Sequence, residues 1–158
     1  MELQVLIVDD ELGLQEVIND FVSLKGFTTK TASSAQEALE ILETCTPYLI
    51  ICDISMPGMN GLELMEKVKS NGLKSAVVML TAHEESDKII RAVQLGCIDY
   101  MTKPFDSKVF LSKLDSWVEI GKRLLALNSE SSTSERGDVS RQLKMIDMFR
   151  MKNAKTQG

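Results

Sequence analysis

Apolar residues along this chain cluster in two alternating periodicities. Leu3 to Val8 is a near-continuous apolar run that ends in Asp9-Asp10, the signature of a strand buried on both faces. Leu14, Val17, Ile18 and Phe21 then recur at helical spacing, and Gly26 closes that helix where a left-handed glycine is favoured. Phe27 to Thr31 reads as a short strand. Ser34 and Glu37 form a capping box ahead of a second helix carrying Ala38, Leu39 and Leu42.

The alternation continues. Tyr48 to Cys52 is a strand ending at Asp53, and the turn residues Pro57, Gly58, Asn60 and Gly61 lead to a helix around Leu62 to Val68. Ala76 to Leu80 is a strand ending at Thr81. Ile89, Ile90 and Val93 mark a helix closed by Gly96, and Cys97 to Met101 is a fifth strand ending at Thr102-Lys103-Pro104. The next helix runs from Ser107 to Leu127, with Phe110, Leu114, Trp117, Val118 and Leu125 on its inner side.

Five strands alternating with five helices predict an α/β fold, a doubly wound parallel sheet covered on both faces. In such sheets, sites form outside the carboxyl ends of the strands. Asp9, Asp10, Asp53, Thr81 and Lys103 all fall there. Taken singly each is ordinary, and Asp10 could simply cap the following helix. Together they place three carboxylates, a hydroxyl and an ammonium in one crevice. Clustered carboxylates need a compensating cation. With oxygen donors and no histidine or cysteine cluster, that cation is a hard ion such as Mg²⁺. A carboxylate held beside Mg²⁺ and an ammonium can act as a nucleophile toward phosphorus.

Four runs carry a resemblance: Leu6-Ile7-Val8-Asp9-Asp10-Glu11, Asp53 through Leu64, Met79-Leu80-Thr81-Ala82, and Gly96 through Phe105. In order and spacing they resemble the signatures of response-regulator receiver domains of the chemotaxis-regulator type, over residues 3–127. The resemblance implies the flavodoxin-like strand order 2-1-3-4-5. It implies Asp53 as phosphoacceptor, Mg²⁺ bound by Asp10, Asp53 and the backbone carbonyl of Ser55, and Asp9 acting through water. Lys103 would contact the phosphoryl group, and its bond to Pro104 would be cis. Thr81 and Tyr100 would be the switch pair, and Ser55 and His83 would modulate access of the hydrolytic water. A histidine kinase or histidine phosphotransfer protein would be the donor. The downstream protein would bind the face of helix 4, strand 5 and helix 5.

Composition narrows the surroundings. Up to residue 120 there are 10 basic and 19 acidic residues, and after it 8 and 4, so an acidic body precedes a basic end. The acidic body argues against direct DNA binding. No apolar run approaches the roughly 20 residues that span a bilayer, and the N-terminus lacks the form of a signal peptide. Cys45, Cys52 and Cys97 are too dispersed for zinc or a disulfide framework. The expectation is a cytoplasmic protein with no membrane partner. Residues 1–127 read as the receiver domain, 128–138 as a flexible serine-rich linker and 139–158 as a basic tail able to form a short helix.

Functionally, this predicts a single-domain response regulator, a signalling switch that catalyses only its own phosphoryl transfer and slow autodephosphorylation. A hydrolase with an aspartate nucleophile is the rival, but that class places Asp-x-Asp on one loop, and position 55 here is Ser. A pseudo-receiver scaffold would lack part of the acidic cluster or Lys103.

Overall fold

A computed structural model describes residues 2–82 and 85–129. Its elements are β1 (Val5–Val8), α1 (Leu12–Leu24), β2 (Thr29–Ala32), α2 (Ala35–Leu42), β3 (Leu49–Asp53), α3 (Gly61–Ser70), β4 (Ala76–Thr81), α4 (Ser86–Leu95), β5 (Asp99–Thr102) and α5 (Ser107–Ser129). The five strands are parallel in the order β2-β1-β3-β4-β5, as the resemblance implies.

Two cores follow from the alternation of side chains across each strand. Leu6, Val8, Ile50, Cys52, Val77 and Met79 face one way, against Ala35 and Ala38 of α2, Leu64 and Met65 of α3 and Ala92 of α4. Val5, Ile7, Leu49, Ile51, Val78 and Leu80 face the other, against Ile18 and Val22 of α1 and Phe110, Leu114 and Trp117 of α5. The aromatic ring of Phe110 lies between Phe105, Phe21 and Trp117. Trp117 keeps its polar end satisfied by donating from Nε1 to Asp99 Oδ2 at 2.9 Å, which ties α5 to β5.

Several boundaries and contacts differ from the sequence reading. β2 and β5 start two residues later than expected, because Phe27, Thr28, Cys97 and Ile98 are still crossing into the sheet. On α5 the buried position is Leu124 and not Leu125, which lies at the margin. That helix continues through Ser129, two residues into the segment read as linker, since neither Asn128 nor Ser129 breaks a helix as Pro or Gly would. The Ser34 hydroxyl accepts from Glu37 N–H at 3.1 Å, but the Glu37 carboxylate turns back to Ser33 N–H instead of closing on Ser34. The complete capping box belongs to α3, between Asn60 and Glu63. The proposed tail, residues 139–158, and the linker beyond Ser129 lie outside the described residues.

Candidate functional site

Each strand delivers its last residues to one end of the sheet. Asp53 closes β3 and Thr81 closes β4, while Asp9 follows β1 and Lys103 follows β5. Local contacts hold these ends in place. Ile54 N–H donates to Leu80 O at 2.9 Å, and Lys103 N–H donates to Thr81 O at 2.7 Å, stitching the loops across neighbouring strands. Gly61 opens α3 directly against Asp53: a Cβ there would come within 2.9 Å of Ile54 Cα and strike the Asp53 carbonyl. Only glycine lets α3 start so close to the end of β3. The Lys103–Pro104 peptide is cis, matching the expectation.

Carboxylate oxygens of Asp9, Asp10 and Asp53 lie within 4.8 Å of one another, with Asp9 and Asp53 buried and Asp10 exposed. Lys103 Nζ sits 2.9 Å from Asp53 Oδ2 and 3.2 Å from Asp9 Oδ2. The other oxygen of Asp53 accepts from Ser55 N–H at 3.1 Å, and Asp9 Oδ1 accepts from Glu11 N–H at 2.9 Å. Burial pushes the Asp53 carboxyl up to about 6, with the charge of Asp9 adding to the rise and the bond from Lys103 opposing it. For Lys103, burial alone would favour the neutral amine, but the bond and charge of Asp53, joined by Asp9, hold it above its ordinary value. Cys52, buried beside Asp53, has its thiol pushed far up by desolvation and stays protonated.

These residues fit a hard divalent cation. One ammonium faces three carboxylates, so negative charge is in excess. Moreover, among the described residues no hydrogen bond of good geometry reaches the buried oxygen Asp9 Oδ2, which has only the ion pair with Lys103 at 3.2 Å. A buried acceptor without a donor is what a cation, or a water on that cation, would satisfy.

Thr81 is fully buried and belongs to the site's edge. Its hydroxyl donates to Ala82 O at 3.1 Å and reaches Glu85 Oε1 at 3.4 Å. Tyr100 pairs with Met79, two residues back from the Thr81–Thr102 pair, which puts Tyr100 and Thr81 on one face of the sheet. Ser55 lies beside both Asp53 and Glu85. His83 lies outside the described residues.

Sequence reasoning missed three residues. Gln15 is buried on α1 and donates from Nε2 to Asp9 O at 3.1 Å and to Ala32 O at 3.0 Å. Its signal was available, because Gln15 lies three and seven residues before Ile18 and Val22 and is the polar side chain among the buried residues of α1. Glu85 and Lys88 were invisible in the pattern. Glu85 Oε1 accepts from Ala82 N–H at 2.8 Å, Oε2 accepts from the Ser55 hydroxyl, and Lys88 Nζ stands 3.1 Å away. Burial would raise the Glu85 carboxyl, but these donors and the Lys88 charge bring it down to about 2.

The chain is similar to known proteins. A family profile, the response regulator receiver domain, matches residues 5–115. Regulator of RpoS from Escherichia coli K12 is 41 % identical over 101 residues, covering 64 % of this chain and 30 % of that protein. Sporulation initiation phosphotransferase F from Bacillus subtilis 168 is 33 % identical over 106 residues, covering 67 % of this chain and 86 % of that protein. The crystal structure of a response regulator receiver domain protein from Clostridium thermocellum superposes with a TM-score of 0.71 at 28 % identity, over 77 % of this chain and 98 % of that one. The chain thus spans less than a third of the first relative and most of the second.

Proposed function

This chain belongs to the response regulator receiver family of two-component signalling, and from that premise we propose that it accepts a phosphoryl group on Asp53 and switches a partner-binding surface in response. The observation that carries this reading is the placement of Lys103 Nζ at 2.9 Å from Asp53 Oδ2, within a cluster of three carboxylates. A carboxylate so placed is a nucleophile with its charge compensation already assembled.

In the transfer, an Asp53 oxygen attacks phosphorus on a phosphohistidine of the donor. The P–N bond breaks, its electron pair stays with the imidazole, and an acyl phosphate forms. Lys103 stabilises charge on the phosphoryl oxygens as they rearrange. Asp10, Asp53 and the Ser55 carbonyl would hold Mg²⁺, and Asp9 would act on it through water. When bound, Mg²⁺ supplies further neutralisation of the transferred oxygens.

The donor is a histidine kinase or histidine phosphotransfer protein. Leu14, Val17 and Phe21 of α1 line an open groove reaching Lys103, Pro104 and Phe105, with Val17 43 % exposed, which gives such a donor an apolar seat next to the acceptor. Output follows when Thr81 turns toward the phosphoryl oxygens and Tyr100 moves behind it, altering the face formed by α4, β5 and α5. The chain acts as a switch and not as an enzyme with a separate substrate. Output is a change in partner binding, and three free thiols suit the reducing compartment of the cytoplasm. Ser55 and His83 set the phosphoryl lifetime.

Acetyl phosphate with Mg²⁺ tests the reading directly. One acid-stable, hydroxylamine-labile phosphoryl group should appear per chain in wild type and none in Asp53→Asn. Undiminished labelling of Asp53→Asn would remove Asp53 from the role.

A further inference from the structure

The residue just ahead of α4 does something other than cap its helix. Glu85 stands at the N-cap position, yet its side chain makes no capping bond. Instead its carboxylate turns back to the ends of β3 and β4 and gathers donors from both connections. Oε1 takes the Ala82 N–H at 2.8 Å and faces the Thr81 hydroxyl at 3.4 Å. Oε2 takes the Ser55 hydroxyl and pairs with Lys88 at 3.1 Å, and Lys88 also donates to Ser55 Oγ at 2.9 Å. The Glu85 side chain is only 13 % exposed.

A backbone N–H and two hydroxyls converging from neighbouring loops make an anion-binding concavity. Here the anion is the chain's own. Ser55 links it to the acceptor: its hydroxyl goes to Glu85 while its N–H goes to Asp53 Oδ1 at 3.1 Å. Register reinforces the proximity, since Asp53 pairs with Leu80, the residue before Thr81. A phosphoryl group on Asp53 brings three strong acceptor oxygens beside donors that Glu85 already holds.

We propose that Glu85 is a positioning residue acting as an internal anion: it occupies the donors that a phosphoryl group on Asp53 would take, and phosphorylation exchanges one anion for the other. The inference rests on Asp53 being the acceptor. It assigns a source to the conformational change, because Glu85 directly precedes α4 and Lys88 lies within it. Displacing the carboxylate frees Thr81 and Ser55 and removes the tether between the start of α4 and the β3–α3 loop.

Beryllofluoride with saturating Mg²⁺ is the probe, titrated by calorimetry into the full chain. Competition for shared donors predicts that Glu85→Ala and Glu85→Gln bind it at least about fivefold more tightly than wild type, the low end of ordinary coupling between sites. A residue that merely braced the loops would change affinity in the opposite direction when removed. Glu85→Asp separates occupancy from charge, because it keeps the charge and shortens the reach. It too should tighten binding. Unchanged or weaker binding in Glu85→Ala and Glu85→Gln overturns the proposal, and so does tightening confined to Glu85→Gln and Glu85→Ala with Glu85→Asp equal to wild type. Asp53→Asn distinguishes the two readings: beryllofluoride binding that survives it sinks the acceptor assignment and this inference together, whereas Asp53-dependent binding with a flat Glu85 series sinks this inference alone.

Discussion

Lys103 Nζ lies 2.9 Å from Asp53 Oδ2, across 50 residues of sequence, and still does not restore an ordinary carboxylate to Asp53. Burial outweighs the ion pair, and the carboxyl sits at about 6 in place of its usual 3.8. The native state therefore binds this proton more tightly than the unfolded chain does. Well below pH 3.8 both states are protonated and ionisation costs nothing. Above pH 6 the full cost is present.

Stability of metal-free wild type, measured relative to Asp53→Asn by urea denaturation, should accordingly fall as pH rises from 4 to 6. The fall is at most about 3 kcal/mol, from about two pH units at 1.36 kcal/mol each. Saturating Mg²⁺ should flatten the profile by compensating the carboxylate. A relative stability that rises over that interval in EDTA would show that Lys103 dominates the site.

Gln15 gives a second prediction, because its amide bridges the β1–α1 connection to the end of β2. Gln15→Leu retains bulk but leaves Asp9 O without the Gln15 donor and takes one from Ala32 O. A loss of about 1–3 kcal/mol in chemical denaturation is expected for unsatisfied buried groups. Mg²⁺ affinity should fall with it, since the loop carrying Asp9 and Asp10 loses its anchor. Wild-type stability and wild-type Mg²⁺ affinity together would make the bridge inconsequential.

Metal binding itself separates the two aspartates. If Asp10 is the direct ligand proposed above, Asp10→Asn should cost more than the ~10–100-fold typical of outer partners, whereas Asp9→Asn should stay within that range. Calorimetry is the appropriate assay, as Trp117 is buried on α5 and held by Asp99. Equal Mg²⁺ affinity in wild type and Asp10→Asn would take Asp10 out of the site.

What the sequence made legible depended on how locally each feature is encoded. The acidic cluster could be read because buried parallel strands announce themselves as apolar runs, and the residue after each run must lie at the sheet's edge. Strand order needed the resemblance, since periodicity does not say which strands are neighbours. Leu124 and Leu125 were confused because adjacent positions on a helix differ by about 100°, and either fits the stripe. Glu85 and Lys88 escaped altogether. Their roles come from a non-capping turn of one side chain toward Ser55, 30 residues distant, and no periodicity records that.

The last prediction concerns how the phosphoryl group is read out. Thr81 is buried at the end of β4 with its hydroxyl turned to Ala82 O and Glu85, while Asp53, the acidic cluster and Lys103 are assembled without it. Thr81→Ala should therefore keep Mg²⁺-dependent phosphorylation of Asp53 by acetyl phosphate within about threefold of wild type. It should lose the phosphorylation-dependent change in the α4, β5 and α5 face, read as amide chemical shifts of Tyr100 and of α4 with and without beryllofluoride. The reason is energetic: a ligand shifts a two-state equilibrium only by its differential interaction with the two states. Of the donors that Glu85 gathers, the Thr81 hydroxyl is the one on the sheet face shared with Tyr100, and in the proposed exchange it bonds Glu85 in one state and the phosphoryl oxygens in the other. Removing it leaves the chemistry in place and takes away the part of the difference felt at that face. If Thr81→Ala shows wild-type shifts at Tyr100 and α4 on beryllofluoride addition, the signal reaches that face by another route and Thr81 is not the coupling residue.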